Sequence, residues 1–88
     1  MPNQIDLFQK EEMYIKGKPV VTIFHNSTNL FSIVKLKIDE TNSTYEDKEI
    51  IVTGYFPQLM NEDSYRFTGQ IKQHPKYGTQ FQVETFAK

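Results

Sequence analysis

Residues 13–25 read MYIKGKPVVTIFH, and this stretch decides the predicted fold. It is rich in β-branched and other apolar residues, so it predicts one long β-strand. Gly17 predicts a bend or bulge within the strand, and Pro19 requires that its own position forms no ladder hydrogen bond. Alternation of side chains places five residues on one face, namely Ile15, Gly17, Pro19, Val21 and Ile23.

Four more strands are predicted after this one, each bounded by turn-forming or charged residues. They cover Leu30–Ile38, Glu49–Phe56, Ser64–His74 and Thr79–Phe86. On the fourth strand the residues expected to face outward are Arg66, Thr68, Gln70 and Lys72. The residues expected inside the fold are Val34, Leu36, Ile38, Ile50, Val52, Gly54, Phe56, Tyr65, Phe67, Gly69, Ile71, Phe81 and Val83.

Five short strands without a convincing amphipathic helix predict a small all-β barrel. Two architectures fit this pattern, the OB-fold and the SH3-like barrel. The long first strand with its internal glycine favours the OB-fold, because there the first strand bends and contributes to both sheets. We expect the barrel domain to span residues 13–88, after a flexible tail over residues 1–12.

Composition excludes several functional classes. The 88 residues contain 10 Lys and Arg against 11 Asp and Glu, for a net charge of −1, and no cysteine. Disulfide frameworks, thiolate metal sites, cysteine nucleophiles and strongly basic nucleic-acid modules are therefore excluded. No apolar run is long enough to span a membrane, and the N-terminus lacks the residue order of a signal peptide, so we expect a soluble, cytoplasmic protein.

The motifs of common enzymes are missing from the sequence as well. The two histidines, His25 and His74, have no accompanying Asp, Glu or Cys at metal-ligand spacing. Neither GxxxxGK[ST] nor GxGxxG occurs, and no serine has a nucleophile-elbow context. We therefore expect no enzymatic activity, metal or cofactor in these 88 residues.

Charge is unevenly distributed along the chain, and this bears on binding. Five acids lie between Asp39 and Glu49, whereas residues 64–82 carry three bases and no acid. An OB-fold binds nucleic acid across its second and third strands and the adjoining loops, with cations for phosphates and aromatic faces for bases. The candidate nucleic-acid-binding residues on or near these elements are Lys35, Lys37, Tyr55, Arg66, Lys72, His74, Lys76 and Tyr77.

These candidates also fit a purely structural explanation. Exposed lysines on a strand protect it from edge-to-edge aggregation, and the tyrosines Tyr55 and Tyr77 could cap the barrel. Because the whole chain is nearly neutral, the sequence predicts at most a weak, auxiliary contact with single-stranded DNA.

The predicted tail contains a short motif. Gln4–Phe8 reads QIDLF, which resembles the clamp-binding pentapeptide of bacterial replication and repair proteins, a pattern close to QL[SD]LF. Leu7 and Phe8 could fill an apolar groove of the sliding clamp while Gln4 hydrogen-bonds at its rim, and Asp6 matches the third position. The alternative is a tail with incidental apolar residues, or one that folds back onto the barrel.

Three longer stretches have a pattern in common with a known family. They are YIKGKPVVTIFHNSTNLFSIVKLKI at residues 14–38, VTGYFPQL at 52–59 and YRFTGQIKQHPKYGTQFQVETF at 65–86. The most specific piece is HPKYG at residues 74–78, followed by Gln80 and Phe81. Together these stretches resemble the N-terminal domain of bacterial RecD-like ATP-dependent DNA helicases. The sequence departs from that pattern at Asn29-Leu30, where many members have Asn-Gly before the aromatic residue of the second strand.

The resemblance implies an OB-like domain that precedes a helix-hairpin-helix region and two RecA-like motor domains. The parent would be a 5′-to-3′ helicase of DNA repair and recombination. ATP and Mg²⁺ would belong to the motor domains, and the other helicase domains would be partners of this one. No catalytic residue is implied at the matching positions.

Three roles remain open at the level of the sequence. The first is an accessory helicase domain that assists single-stranded DNA handling or partner docking. The second is a protein-interaction module that recruits the helicase to a partner such as the sliding clamp without binding DNA itself. The third, a free-standing nucleic-acid-binding protein, requires that the natural chain ends at Lys88.

Overall fold

Five β-strands form one closed barrel in the computed structural model, which describes residues 12–88. They are β1 (Met13–His25), β2 (Phe31–Thr41), β3 (Glu49–Tyr55), β4 (Tyr65–His74) and β5 (Gly78–Ala87). The order around the barrel is β1-β2-β3-β5-β4, and β4 pairs back with β1. The pairs are antiparallel except β3 with β5, which are parallel. The clamp-like motif at Gln4–Phe8 lies outside the described residues.

This arrangement is an OB-fold and confirms that prediction over the SH3-like alternative. β1 contributes to both sides of the barrel, because residues 13–17 pair with β4 while the strand also pairs with β2. The bounds of β1 agree with the sequence-based prediction, and the largest difference is that β2 continues to Thr41. No helix within residues 12–88 is long and apolar enough to cross a membrane.

The core lies inside the barrel and is formed by alternate residues of all five strands. Phe56 and Phe67 pack with ring centroids 5.5 Å apart. Leu59 closes one end from the connection between β3 and β4, where the described chain forms a turn instead of the helix found in many OB-folds. The Tyr65 hydroxyl accepts a hydrogen bond from the Met60 amide at 3.0 Å and holds this connection in place. The buried apolar residues are Ile15, Val34, Leu36, Ile50, Val52, Phe56, Leu59, Tyr65, Phe67 and Phe81.

β1 bends at Gly17, where its register with β2 shifts as the sequence predicts. A Cβ atom at Gly17 would overlap the carbonyl oxygen of Lys37. At Gly69, beside the irregularity between β4 and β5, a Cβ atom would likewise overlap the carbonyl oxygen of Gln82. Glycine at these two positions is therefore required by the close approach of neighbouring backbones.

Two of the predicted side-chain orientations are wrong, and bulges in β1 explain them. Val21 and Ile23 do not face the core but are about half exposed, at 46% and 55%. The β1–β2 register shifts between Pro19 and Val21 and again between Thr22 and Phe24, and each extra residue reverses the alternation that follows. Thr68 keeps its position between the inward-facing Phe67 and Gly69, but it is buried where an exposed residue was expected. Its hydroxyl hydrogen-bonds that of Thr85 beside the β4–β5 irregularity.

We expect Gly17→Ala to lower the free energy of unfolding by about 2–4 kcal/mol, because the new methyl group forces two paired backbones apart. Lys18 is the next residue of the chain and is exposed, so Lys18→Ala should change the free energy of unfolding by less than about 0.5 kcal/mol. Urea unfolding of both variants followed by circular dichroism measures the difference. Equal stability of the two variants would contradict the steric role of Gly17.

Candidate nucleic-acid interface

The outward side of β2, β3, β5 and β4 forms a continuous surface, which we call the outer face. Paired residues of neighbouring strands direct their side chains to the same side of a sheet. One row across the four strands contains Lys35, Ile51, Gln80 and Lys72. The next row contains Ile33, Thr53, Gln82 and Gln70. This is the surface on which OB-folds bind oligonucleotides.

An aromatic cluster lies at one end of the outer face. Phe31 of β2 pairs with Tyr55 of β3, and their ring centroids are 5.3 Å apart. Phe24 of β1 packs against Phe31 with centroids 6.3 Å apart. Phe24 and Tyr55 remain 48% and 68% exposed, so aromatic surface is available to a ligand.

The loop between β1 and β2 borders the aromatic cluster and is ordered by two asparagines. The Asn26 side-chain oxygen accepts hydrogen bonds from the amides of Thr28 and Asn29, at 2.8 and 3.2 Å. The Asn29 side-chain oxygen accepts one from the Phe31 amide at 2.9 Å. Leu30 has a φ of 70°, a left-handed conformation that is more usual for glycine. The side-chain hydrogen bonds hold this conformation in a non-glycine residue.

The hairpin between β4 and β5 borders the other side of the outer face and is capped by His74. Its Nδ1 atom accepts hydrogen bonds from the amides of Lys76 and Tyr77, each at 3.1 Å. The His74 and Tyr77 rings are 4.8 Å apart between centroids, and the Lys76 Nζ lies 5.6 Å from the centre of the Tyr77 ring. His74 therefore positions Tyr77, which is 65% exposed, instead of presenting its own ring as the main contact.

Three of the predicted cations lie on or beside the outer face. Lys35 and Lys72 belong to the same row of paired residues, and Lys76 lies in the hairpin. The Lys35 Nζ is 3.8 Å from a Glu49 carboxylate oxygen, with both side chains about half exposed. An exposed ion pair of this kind is worth about 0–1 kcal/mol, so it leaves Lys35 able to bind a phosphate.

Lys37 lies in a different electrostatic environment from Lys35. It lies opposite Glu49 in the β2–β3 ladder and lines a shallow depression together with Asp47, Lys48 and Glu49. Burial and the negative charge of Asp47 raise the pKa of the nearby Tyr45 hydroxyl. This acidic end of the face is unfavourable for a phosphate chain, so Lys37 is a weaker candidate than the sequence indicates.

Arg66 is separated from the other candidates. It lies six residues before Lys72 on β4, which is about 20 Å along an extended strand. Its guanidinium lies 4.0 Å from the centre of the Tyr14 ring, and the Tyr14 hydroxyl hydrogen-bonds Glu40. The structure thus places Arg66 in a contact between the start of β1 and the end of β2.

His25 contacts a buried serine inside the fold instead of a ligand surface. Its Nδ1 atom is 2.7 Å from the Oγ of buried Ser32, whose hydroxyl in turn lies 2.9 Å from the carbonyl oxygen of Leu30. Because Ser32 donates to that carbonyl, His25 donates its Nδ1 proton to Ser32. Within residues 12–88 no group of three or more acidic or histidine side chains could hold a metal ion.

Reasoning from the sequence missed several residues of this surface, among them Phe24, Ile33, Ile51 and Gln80. The outward positions of Phe24 and Ile23 were missed because strict alternation does not reveal the bulges in β1. A signal was present, because residues 20–24 read VVTIF and contain more apolar side chains than one buried face of a strand can hold.

The closed five-stranded barrel with this outer face defines an OB-fold domain. Residues 12–88 match the family described as the OB-fold domain of the ATP-dependent DNA helicase YrrC, and the chain belongs to this family. The resemblance to a helicase OB domain is thereby confirmed at the level of the family. No solved structure matches the chain.

We expect His74→Ala to loosen the β4–β5 hairpin, because the Lys76 and Tyr77 amides lose their acceptor. Their amide hydrogens should exchange with solvent roughly three- to tenfold faster, the effect of one modest hydrogen bond each. His74→Asn is the matched control, since its side-chain oxygen can accept the same bonds. Equal exchange rates in His74→Ala and the unaltered chain would contradict the capping role.

Proposed function

We propose that this chain is the N-terminal accessory domain of a RecD-like 5′-to-3′ helicase that acts in DNA repair and recombination in the cytoplasm. In this role its outer face contacts single-stranded DNA near the motor domains. ATP and Mg²⁺ would be bound by those motor domains, and we assign no residue of this chain to them.

The observation that supports DNA contact is the combination of exposed aromatic rings and cations on one surface. Phe24, Phe31 and Tyr55 lie at one end and Tyr77 at the other. Stacking of a base on an aromatic side chain is worth about 1–3 kcal/mol, whatever the sequence. Such a surface suits a single strand, whose bases are free to stack.

The number of cations argues that this contact is weak. Lys35, Lys72 and Lys76 are the predicted cations that lie on or beside the outer face, and Lys35 is also ion-paired with Glu49. When the logarithm of the binding constant is plotted against the logarithm of the salt concentration, each phosphate neutralised on a single strand contributes about −0.7 to the slope. Three contacts therefore give a slope of about −2. A domain of this kind guides a strand that the motor domains hold.

We expect the 88-residue chain to bind a fluorescein-labelled thymidine oligonucleotide with a logarithmic salt slope of about −2 between about 50 and 200 mM NaCl. The double variant Lys72→Gln/Lys76→Gln should reduce the magnitude of this slope by about 1.4, as two contacts are lost. Fluorescence anisotropy measures both.

The matched control is Lys16→Gln/Arg66→Gln, which removes two charges away from the outer face and should leave the slope unchanged. If the control weakens binding as much as the outer-face variant, DNA contact at this surface is refuted. If no binding occurs even at low salt, the domain is instead a protein-docking module.

We also propose that Gln4–Phe8 recruits the parent helicase to the sliding clamp, because QIDLF matches four of the five positions of the clamp-binding pattern. The motif requires an extended peptide whose two apolar residues enter a groove. This recruitment is independent of DNA binding at the barrel.

We expect immobilised bacterial sliding clamp to retain the unaltered chain and to lose the variant Leu7→Ala/Phe8→Ala. The control Gln9→Ala/Lys10→Ala, just outside the motif, should be retained normally. Equal retention of all three proteins would refute clamp binding through this segment.

A further inference from the structure

A cleft of about 450 Å³ opens on the outer face between the β4–β5 hairpin, the strands and the end of β1. It is lined by Ile23, Ile33, Ile51, Tyr77 and Gln80. Ile33 and Ile51 come from the two strands at the centre of the face, and Tyr77 comes from the hairpin. The lining contains no charged side chain, so the cleft favours an occupant with an apolar surface.

Two features of the lining select for a flat ligand with a polar edge. The Tyr77 ring is largely exposed, and the hydrogen bonds to His74 keep its residue in place. The Gln80 amide is the one polar side chain of the lining apart from the tyrosine hydroxyl. This side-chain amide makes no hydrogen bond to other residues of the described range 12–88, so its donor and acceptor are available.

The charges around the cleft select for an anionic chain. Lys35 and Lys72 flank Ile51 and Gln80 in the same row of paired residues, one on each side. No acidic residue occurs from residue 64 to residue 83, which includes all of β4, the hairpin and the first half of β5, and the one acid ion-paired with a flanking lysine in the described range is Glu49, beside Lys35. An apolar protein side chain could fill the cleft, but it would leave Gln80 unpaired and would not use the two lysines.

We propose that the cleft binds one unpaired nucleobase of single-stranded DNA, with phosphates on either side contacting Lys35 and Lys72. One face of the base stacks on Tyr77 and the other contacts Ile33 and Ile51, while the Gln80 amide hydrogen-bonds its edge. This assignment rests on the proposed DNA contact. It adds a reason why the domain would select single-stranded over double-stranded DNA. A base within a duplex is stacked and paired, so it cannot enter the cleft.

The test compares a labelled thymidine hexanucleotide with a hexamer of abasic residues, which has the same phosphates and no bases. By fluorescence anisotropy at low salt we expect the 88-residue chain to bind the thymidine oligomer at least about tenfold more tightly. Tyr77→Ala and Gln80→Ala should remove most of this preference and leave affinity for the abasic oligomer unchanged. Tyr77→Phe, which keeps the ring, and Gln58→Ala, in the β3–β4 connection, should retain it.

The possible outcomes separate this inference from the proposed function. Equal affinity for both oligomers, with a salt slope that still depends on Lys72 and Lys76, refutes the base cleft and leaves DNA contact at the outer face intact. A Tyr77→Ala variant that weakens both oligomers equally also refutes it. Failure to bind either oligomer refutes the proposed DNA contact itself.

Discussion

Closure of the barrel depends on the close contact between β1 and β2 at Gly17. Residues 13–17 of β1 pair with β4, whereas the pairing with β2 runs from Ile15 to His25, so the strand leaves β4 after Gly17. The carbonyl oxygen of Lys37 occupies the space that a side chain would need. A straight β1 could not keep both pairings, and the buried contacts of Ile15 with the rest of the core would be lost with them.

Beyond the bend, β1 contributes to the surface that we assign to ligand binding. After Gly17 the outer edge of β1 is not paired with another described strand, and side chains of the β3–β4 connection contact it instead. Asn61 donates a hydrogen bond to the carbonyl oxygen of Val20 at 3.3 Å. Two bulges then turn Val21, Ile23 and Phe24 outward. Grouped apolar residues on a surface commonly mark a binding site.

The fold was more predictable from sequence than the candidate site. Alternation located all five strands and the buried residues Val52, Phe67 and Phe81, because regular pairing preserves the period of two. Val21 and Ile23 were assigned to the wrong side because a bulge is a property of two paired strands and not of one. The candidate cations were predicted from the sequence, but not their different surroundings. Only the pairing of the strands shows that Lys37 lies at the acidic end and that Arg66 contacts Tyr14 away from the outer face.

The sequence by itself determined that the chain is a small all-β barrel, that Gly17 interrupts its first strand, and that the net charge is −1. The strands and the position of Gly17 follow from the local alternation of residues, and the net charge follows from the summed composition. Only the tertiary structure decided that Ile33, Ile51, Tyr77 and Gln80 surround one cleft and that Lys35 and Lys72 flank it. Those residues come from different strands and a hairpin, and only the pairing of β3 with both β2 and β5 brings them together.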